Sequence, residues 1–128
     1  VNIVIDCTDN IQTRLQLNEI CIRNRIPMIM AAAIRYECHI AVFRNDSLID
    51  GCLNCLYQSN DENIETCEGN GILSSVAGNA GIMATTEAIK ILIGHKTELN
   101  SRISIFDLKN NYYQSFKIKK SNSCDLNH

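Results

Sequence analysis

Residues 4–14 read VIDCTDNIQTR and place a short strand directly before a helix. The run that ends at Asp6 is apolar and rich in β-branched residues, which is typical of a strand in a parallel sheet. Asp9 or Asn10 is a suitable N-cap for the next segment, where apolar residues recur at helical spacing from Ile11 onward. The stretch therefore predicts a strand-to-helix turn that carries acidic and amide side chains.

Further strands are predicted on both sides of a long polar segment. The run MIMAAAI after Pro27 predicts a second strand parallel to the first, and ECHIAVFR alternates like an antiparallel neighbour. The runs RISIFDL and YYQSFKIKK flank KNN and predict a hairpin. We therefore expect an α/β fold with a mixed sheet and helices.

The middle of the chain combines a polar segment with an apolar helix. Residues 45–71 are polar, hold three cysteines and form a longer connection than most loops. Small and apolar residues between Ile72 and Ile93 predict a largely buried helix, and Gly94 is well placed to end it. Glu87 and Lys90 have the spacing of an ion pair on one helix face.

The composition describes one globular unit with ordinary charge. The chain has 128 residues, 45% of them hydrophobic and 20% charged, and a net charge of −2. This balance favours neither nucleic acid nor an anionic membrane as a partner. Seven cysteines in an aliphatic chain favour metal binding or thiol chemistry over disulfides, so we expect a cytoplasmic protein. Because Val1 is not Met and stands at a core strand, we expect a fragment.

Cys52 and Cys55 form a C-x-x-C pair, a spacing that lets two thiolates bind one tetrahedral metal. Gly51 before them offers backbone freedom for such a turn. Cys124 is a candidate third ligand and His128 a candidate fourth. Two ordinary thiols remain an alternative, as does a redox pair. The flanks of the pair resemble a loop, whereas redox motifs start a helix, so metal binding is the preferred interpretation.

Cys67 lies in ETCEGNG, where glycines let the backbone open towards a substrate, and is a candidate nucleophile. Glu65 and Glu68 would raise its pKa, so a bystander thiol is the alternative. The remaining cysteines lie on predicted strands or the predicted helix, where core packing is expected: Cys7, Cys21 and Cys38.

The turn after the first strand is a candidate ligand site. Asp9 and Asn10 stand at the carboxyl edge of a parallel sheet, where open α/β sheets bind ligands. Asp9 could hold Mg²⁺, and Arg14 on the first helical turn points towards the same crevice. Simple helix capping is the competing interpretation.

Several motifs in one order resemble the ubiquitin-activating-enzyme-like adenylyltransferases of the MoeB, ThiF and HesA type. They are DCTDNIQTRLQLNEICI, AAAIRYECHIAVF, GCLNCLY, ETCEGNGIL, GNAGIMATTEAIKILIG, RISIFDLKNNYYQSFKI and a terminal cysteine. The resemblance implies that residues 1–128 form the carboxy-terminal portion of one Rossmann-like adenylyltransferase domain with a zinc-knuckle region. It also implies that the glycine-rich amino-terminal half lies outside this chain.

The resemblance further implies a reaction. Such proteins use Mg-ATP to adenylate the terminal Gly-Gly of a ubiquitin-fold sulfur carrier of the MoaD, ThiS or Urm type, for molybdopterin, thiamine or tRNA thiolation. A sulfurtransferase is an implied further partner, and the intact protein is expected to be a homodimer. The positions that match the family's nucleotide and magnesium residues are Asp9, Asn10, Arg14 and Asn18.

The resemblance also assigns roles to the cysteines. Cys52, Cys55 and Cys124 match three of four zinc ligands, but Asn127 stands at the fourth, so His128, an amide or water would complete the site. Cys67 matches the cysteine that some members link covalently to the carrier. The isolated chain is expected to lack ATP-pyrophosphate exchange, and a truncated, non-catalytic module that docks the carrier is the alternative function.

Overall fold

The structure, a computed structural model, describes residues 1–58 and 71–126. Its elements in chain order are β1 (Val4–Asp6), α1 (Ile11–Arg23), β2 (Met28–Ile34), β3 (Glu37–Phe43), α2 (Leu53–Gln58), α3 (Ser74–Leu92), β4 (Arg102–Asp107) and β5 (Tyr112–Lys117). The predicted strands and both predicted helices are present. The short helix α2, within the polar segment, is an element that the sequence pattern does not predict.

Five strands of the described residues form one mixed sheet in the order β1-β2-β3-β4-β5. β1 and β2 are parallel, and the remaining neighbours pair antiparallel. This arrangement confirms the predicted β-α-β unit, the antiparallel third strand and the terminal hairpin. Because α1 returns the chain from the end of β1 to the start of β2, residues 7–10 lie at the carboxyl edge of the parallel pair.

Helices cover both faces of the sheet. On one face, α1 and α2 pack against β2 and β3, with Met28, Phe43 and Leu53 buried in a shared core. On the other face, α3 packs its Val76 and its alanines against residues such as Ile40. Burial of each large aliphatic side chain contributes about 1.5–3 kcal/mol to stability. The two cores hold α1 and α3 at opposite faces of the sheet.

α3 buries one side only, so the prediction of a largely buried helix is wrong. Ile82, Ile89 and Leu92 on its other side are 69, 52 and 56% exposed. An apolar pattern predicts that a surface favours burial, but it does not show whether another element covers that surface. The apolar residues of the buried stripe follow helical spacing: Val76, Ala80, Ala84 and Ala88.

The end of α3 agrees with the sequence. Gly94 has a φ of 79°, and its N–H donates to the Ile91 carbonyl at 3.1 Å. The His95 N–H donates to the Lys90 carbonyl at 2.8 Å, which completes a Schellman motif. The predicted ion pair is also present, with Lys90 Nζ 2.7 Å from Glu87 Oε1.

Candidate functional site

A buried carboxylate holds the turn after β1. Asp6 is 1% exposed, and its Oδ1 accepts hydrogen bonds from the Thr8 N–H at 2.9 Å and the Thr8 hydroxyl at 2.6 Å. Its Oδ2 accepts no hydrogen bond in the described part of the chain and lies 3.8 Å from Arg14 Nε. A buried carboxylate oxygen without a donor is costly, so the guanidinium charge is needed to stabilise it.

Arg14 links three parts of the fold. Its Nη2 donates to the carbonyl of Thr8 and, at 3.4 Å, to the carbonyl of Ala31 in β2, while Nε faces Asp6. The side chain is buried, and it also lines the cleft beside the turn. Its position at the cleft agrees with the sequence prediction that Arg14 points towards this crevice. Nη2 and Nε are directed at the protein, so these contacts position the turn.

Asp9 and Asn10 are exposed on this turn, but their side chains differ in role. The Asn10 Oδ1 accepts the Thr13 N–H at 2.8 Å, so Asn10 is the N-cap of α1. The Asp9 carboxylate is not needed for capping and lines the adjacent cleft. The capping interpretation therefore applies to Asn10, and Asp9 is the acidic residue that lines the cleft.

The cleft beside Asp9 has a volume of about 180 Å³. Its other walls are Ala31–Ala33 of β2 and Ala77, Ala80 and Gly81 of α3, whose small side chains leave the space open. Pockets for drug-sized ligands and cofactors usually measure about 300–1,000 Å³, so this cleft is smaller than a complete pocket of that kind. Two larger cavities, of about 310 and 340 Å³, lie beside Cys55 and beside Arg35, away from Asp9.

Asn18 lies apart from the other predicted nucleotide residues. It is fully buried one helical turn beyond Arg14 and does not line the Asp9 cleft. Its Oδ1 accepts the Leu53 N–H at 3.3 Å, and its Nδ2 donates to Cys52 Sγ at 3.6 Å. The structure therefore connects Asn18 to the cysteine pair.

Three predicted metal ligands converge within the described residues. The Sγ atoms of Cys52, Cys55 and Cys124 all lie within 4.8 Å of one another. The distances from Cys52 are 3.7 Å to Cys55 and 4.0 Å to Cys124. Tetrahedral Zn²⁺ with Zn–S bonds of about 2.3 Å places its sulfurs about 3.8 Å apart, so this donor set fits zinc. The predicted fourth ligand, His128, lies outside the described residues.

Gly51 brings the two parts of this cluster together. A Cβ atom at Gly51 would lie 2.4 Å from the Ile118 carbonyl oxygen, so a larger residue would push the C-terminal segment away. That segment continues to Cys124. The close approach requires a glycine at this position. Gly51 does not adopt the left-handed backbone that the predicted turn would use.

The C-x-x-C pair starts a helix, which corrects the prediction that its flanks are loop. The Cys52 carbonyl accepts the Leu56 N–H at 3.1 Å, and Cys55 lies in the first turn of α2. Burial raises the pKa of the Cys52 thiol to about 12, although hydrogen bonds from the Cys55 N–H and the Asn18 amide favour the thiolate. A redox nucleophile needs a lowered pKa, so metal binding remains the better interpretation.

The surroundings of Cys124 shift its pKa in the direction opposite to that of Cys52. Burial alone would raise its pKa, but hydrogen bonds from the Leu126 N–H and the Asn54 amide lower the pKa below its usual value. The Asn54 Nδ2 donates to Cys124 Sγ at 3.6 Å. The cluster therefore combines a thiol whose pKa is raised, Cys52, with one whose pKa is lowered, Cys124.

The predictions for the remaining four cysteines had different outcomes. Cys7 is exposed, so its predicted core position is wrong, because β1 ends at Asp6 and Cys7 falls in the turn. Cys21 and Cys38 are buried as predicted. The predicted nucleophile Cys67 lies outside the described residues.

Residues 1–126 match the profile of the ThiF family. The chain belongs to the ThiF family. It is 33% identical to the molybdopterin-synthase adenylyltransferase of Escherichia coli K12 over 98% of the chain and 50% of that protein. It is 31% identical to the sulfur carrier protein ThiS adenylyltransferase of the same strain, over 98% of the chain and 49% of that protein. This ThiF-family chain therefore spans about half the length of these relatives.

Two other comparisons extend the similarity. The adenylyltransferase and sulfurtransferase MOCS3 of Drosophila virilis is 33% identical over 92% of the chain and 26% of that protein. The crystal structure of E. coli MccB with ATP matches with a TM-score of 0.76 at 13% identity, over 99% of the chain and 39% of MccB. The structural match confirms the predicted α/β fold of the ThiF-family chain.

Two residues of these sites were not predicted. Asp6 is an acidic residue at the end of a buried strand, and Asn54 lies inside the C-x-x-C pair; a polar residue in such a buried context indicates a specific partner.

Within the described ranges, no helix of the ThiF-family chain combines the length and apolarity needed to cross a bilayer.

Proposed function

We propose that this chain takes part in the ATP-dependent adenylation of the C-terminal Gly-Gly of a ubiquitin-fold sulfur-carrier protein. A carboxylate oxygen of the carrier attacks the α-phosphorus of ATP, a new P–O bond forms, and pyrophosphate leaves with the electrons of the broken bond. The products are an acyl-adenylate and pyrophosphate. The names of the two Escherichia coli relatives support this reaction, and the observation that carries it here is the Asp9 carboxylate on an open cleft.

The residues of the turn have different parts in this proposal. The exposed Asp9 carboxylate suits Mg²⁺, which prefers carboxylate and phosphate oxygens and would neutralise phosphate charge. Asn10 contacts the nucleotide through its Nδ2 group while its Oδ1 caps α1. Arg14 supports both by holding the turn through Thr8 and Asp6. We assign no nucleotide contact to Asn18.

The 128 residues supply one part of the ATP site. The cleft of about 180 Å³ is smaller than a nucleotide pocket, and the chain spans about half of its relatives. The rest of the site is proposed to come from an amino-terminal half of the same domain. The isolated chain, in solution with ATP and a carrier, is then expected to give no ATP-pyrophosphate exchange.

Further roles complete the proposal. Cys52, Cys55 and Cys124, together with His128, would hold Zn²⁺ in a structural role with no part in the reaction. The Cys67 thiolate would attack the carbonyl carbon of the acyl-adenylate, so that a thioester forms, the bond from that carbon to the phosphate oxygen breaks and AMP leaves. The intact protein is a homodimer that passes the carrier to a sulfurtransferase, and reduced thiols fit a cytoplasmic setting.

The role of Asp9 is tested in a polypeptide that carries this chain together with its amino-terminal half. Asp9→Asn is expected to lower carrier-dependent ATP-pyrophosphate exchange on the order of 100-fold, because a positioned charge next to the phosphates is lost. Asp46→Asn is the matched control, since Asp46 is exposed and contacts Arg44 at the surface. Equal activity of both variants would remove Asp9 from the site.

The docking module remains a second candidate. The exposed apolar side of α3, with Ile82, Ile89 and Leu92, is suited to a protein contact that needs no nucleotide. Carrier binding measured by calorimetry without ATP, together with no exchange by the longer polypeptide, would favour this candidate. Exchange by the longer polypeptide favours the enzyme.

A further inference from the structure

Asn18 lies between the two candidate sites and contacts only one of them. Along α1, Asn10, Arg14 and Asn18 follow at intervals of one turn, with the last two buried. The first two belong to the turn beside the cleft. Asn18 is directed towards the N-terminal end of α2, so the polar side chains along this helix serve the cleft at its start and the cysteine pair one turn beyond Arg14.

The Asn18 amide uses both of its ends at the cysteine pair. Its Oδ1 accepts the Leu53 N–H at 3.3 Å, which holds the first residue of α2. Its Nδ2 donates to the Cys52 sulfur at 3.6 Å. An amide N–H that donates to a thiolate stabilises the negative charge that a cysteine ligand of a metal must carry. When the oxygen of the same amide also holds the neighbouring backbone, the direction of the sulfur is fixed.

We propose that Asn18 is a positioning residue of the zinc centre and sets its metal affinity by orienting Cys52. The inference rests on the proposed Zn²⁺ site but is independent of the adenylation reaction. It replaces the nucleotide role that the sequence assigns to Asn18. A fully buried amide has no surface with which to contact ATP in this structure.

Substitutions at Asn18 can separate an effect of its amide on Cys52 from a general effect of side-chain packing. Asn18→Asp keeps an acceptor for the Leu53 N–H but replaces the donor to Cys52 with an oxygen that repels the thiolate. Asn18→Ser removes the amide without adding charge. Asn24→Asp is the matched control, because the Asn24 Nδ2 caps the same helix by donating to the Ile20 carbonyl at 2.8 Å.

The experiment measures Zn²⁺ affinity of the full chain by competition with a chromophoric chelator under reducing conditions. Asn18→Asp is expected to lower the affinity by about 10–100-fold, as is typical when a residue that orients a metal ligand is changed. Co²⁺ in place of Zn²⁺ gives a sulfur-to-metal absorption band, which the variant should weaken or shift. Asn24→Asp should retain both the affinity and the band.

Four results would overturn the proposal. One is a folded Asn18→Asp variant with the original Zn²⁺ affinity and Co²⁺ spectrum, and another is an equal loss in Asn24→Asp. If metal-free Asn18→Asp does not fold, the Zn²⁺ affinity of Asn18→Ser is measured in its place. The third result is an unchanged Zn²⁺ affinity in Asn18→Ser. An original chain that binds no Zn²⁺ refutes the zinc centre and this inference together, whereas the exchange assay on Asp9 tests adenylation separately.

Discussion

The cysteine cluster and the Asp9 cleft lie along the same helix but differ in completeness. The cluster is largely buried, and its three sulfurs already lie at distances that suit one metal ion. The cleft is open and small, and its wall opposite the turn consists of alanine and glycine. The cluster is therefore a site that this chain largely builds itself, whereas the cleft is one side of a larger site.

The difference follows from the size of each ligand. A metal ion needs a few donor atoms within about 4 Å of one another, which two short segments can supply. A nucleotide needs a large concave surface with several donors, and one turn with two alanine-rich walls does not provide it. Local folding can complete the first kind of site, while the second depends on further chain.

The largest expected effect is at the cluster. Cys52→Ser should lower Zn²⁺ affinity by more than about 100-fold, beyond what a residue that only orients a ligand contributes. It should also abolish the rise in melting temperature that Zn²⁺ produces, because metal binding and folding are coupled. Metal content by mass spectrometry and thermal unfolding measure both effects.

Cys7→Ser is the control for that experiment, since Cys7 is an exposed thiol beside the cleft. It should retain the full metal content. If Cys52→Ser has unchanged metal content and stability, the cluster is an ordinary group of thiols, and the contrast between a complete and an incomplete site is lost.

A smaller effect is expected where the turn is held. Arg14→Met leaves the Asp6 charge buried without its partner and should lower the free energy of unfolding by about 3–5 kcal/mol. Arg23→Met, on the same helix, removes an exposed pair with Glu19 and should cost at most about 1 kcal/mol. Urea unfolding compares the two; equal losses would show that the Arg14 network does not hold the turn.

The smallest effect concerns the wall of the cleft. Gly78 and Gly81 both lie inside α3, and among the described residues a Cβ atom at either would meet no atom within 4 Å beyond its own stretch of helix. Gly78→Ala and Gly81→Ala should each stabilise the chain by about 0.5–1 kcal/mol. Gly81 lines the cleft and Gly78 does not, so Gly81→Ala alone should weaken binding of ATP by the longer polypeptide.

Thermal unfolding and calorimetric titration with ATP check this pair. If the two variants are stabilised to a similar extent and only Gly81→Ala binds ATP more weakly, the nucleotide site extends onto α3. Equal ATP affinity in the two variants would place the nucleotide elsewhere and leave the cleft without a ligand.

Much of the fold was accessible from the sequence because its determinants are local. The Asn10 cap, the Gly94 terminator and the alternation of the strands act within a few residues. The same holds for Cys52 and Cys55, whose spacing alone brings two thiols together. Two of the predictions that failed, for the exposed Cys7 and the half-exposed α3, concern what lies beside a residue in space, whereas the third missed the short helix α2 that follows Cys52.

The sequence by itself determined the order of the strands and of the helices α1 and α3, the cysteine pair and the turn with Asp9, since periodicity, caps and short spacings act through neighbouring residues. Only the tertiary structure decided that Asn18 contacts Cys52 across 34 positions and that Gly51 must admit the Ile118 carbonyl. It also separated Asn18 from Arg14 although both lie on one helix. Contacts between distant segments depend on how the sheet and its helices pack, and no local pattern encodes that geometry.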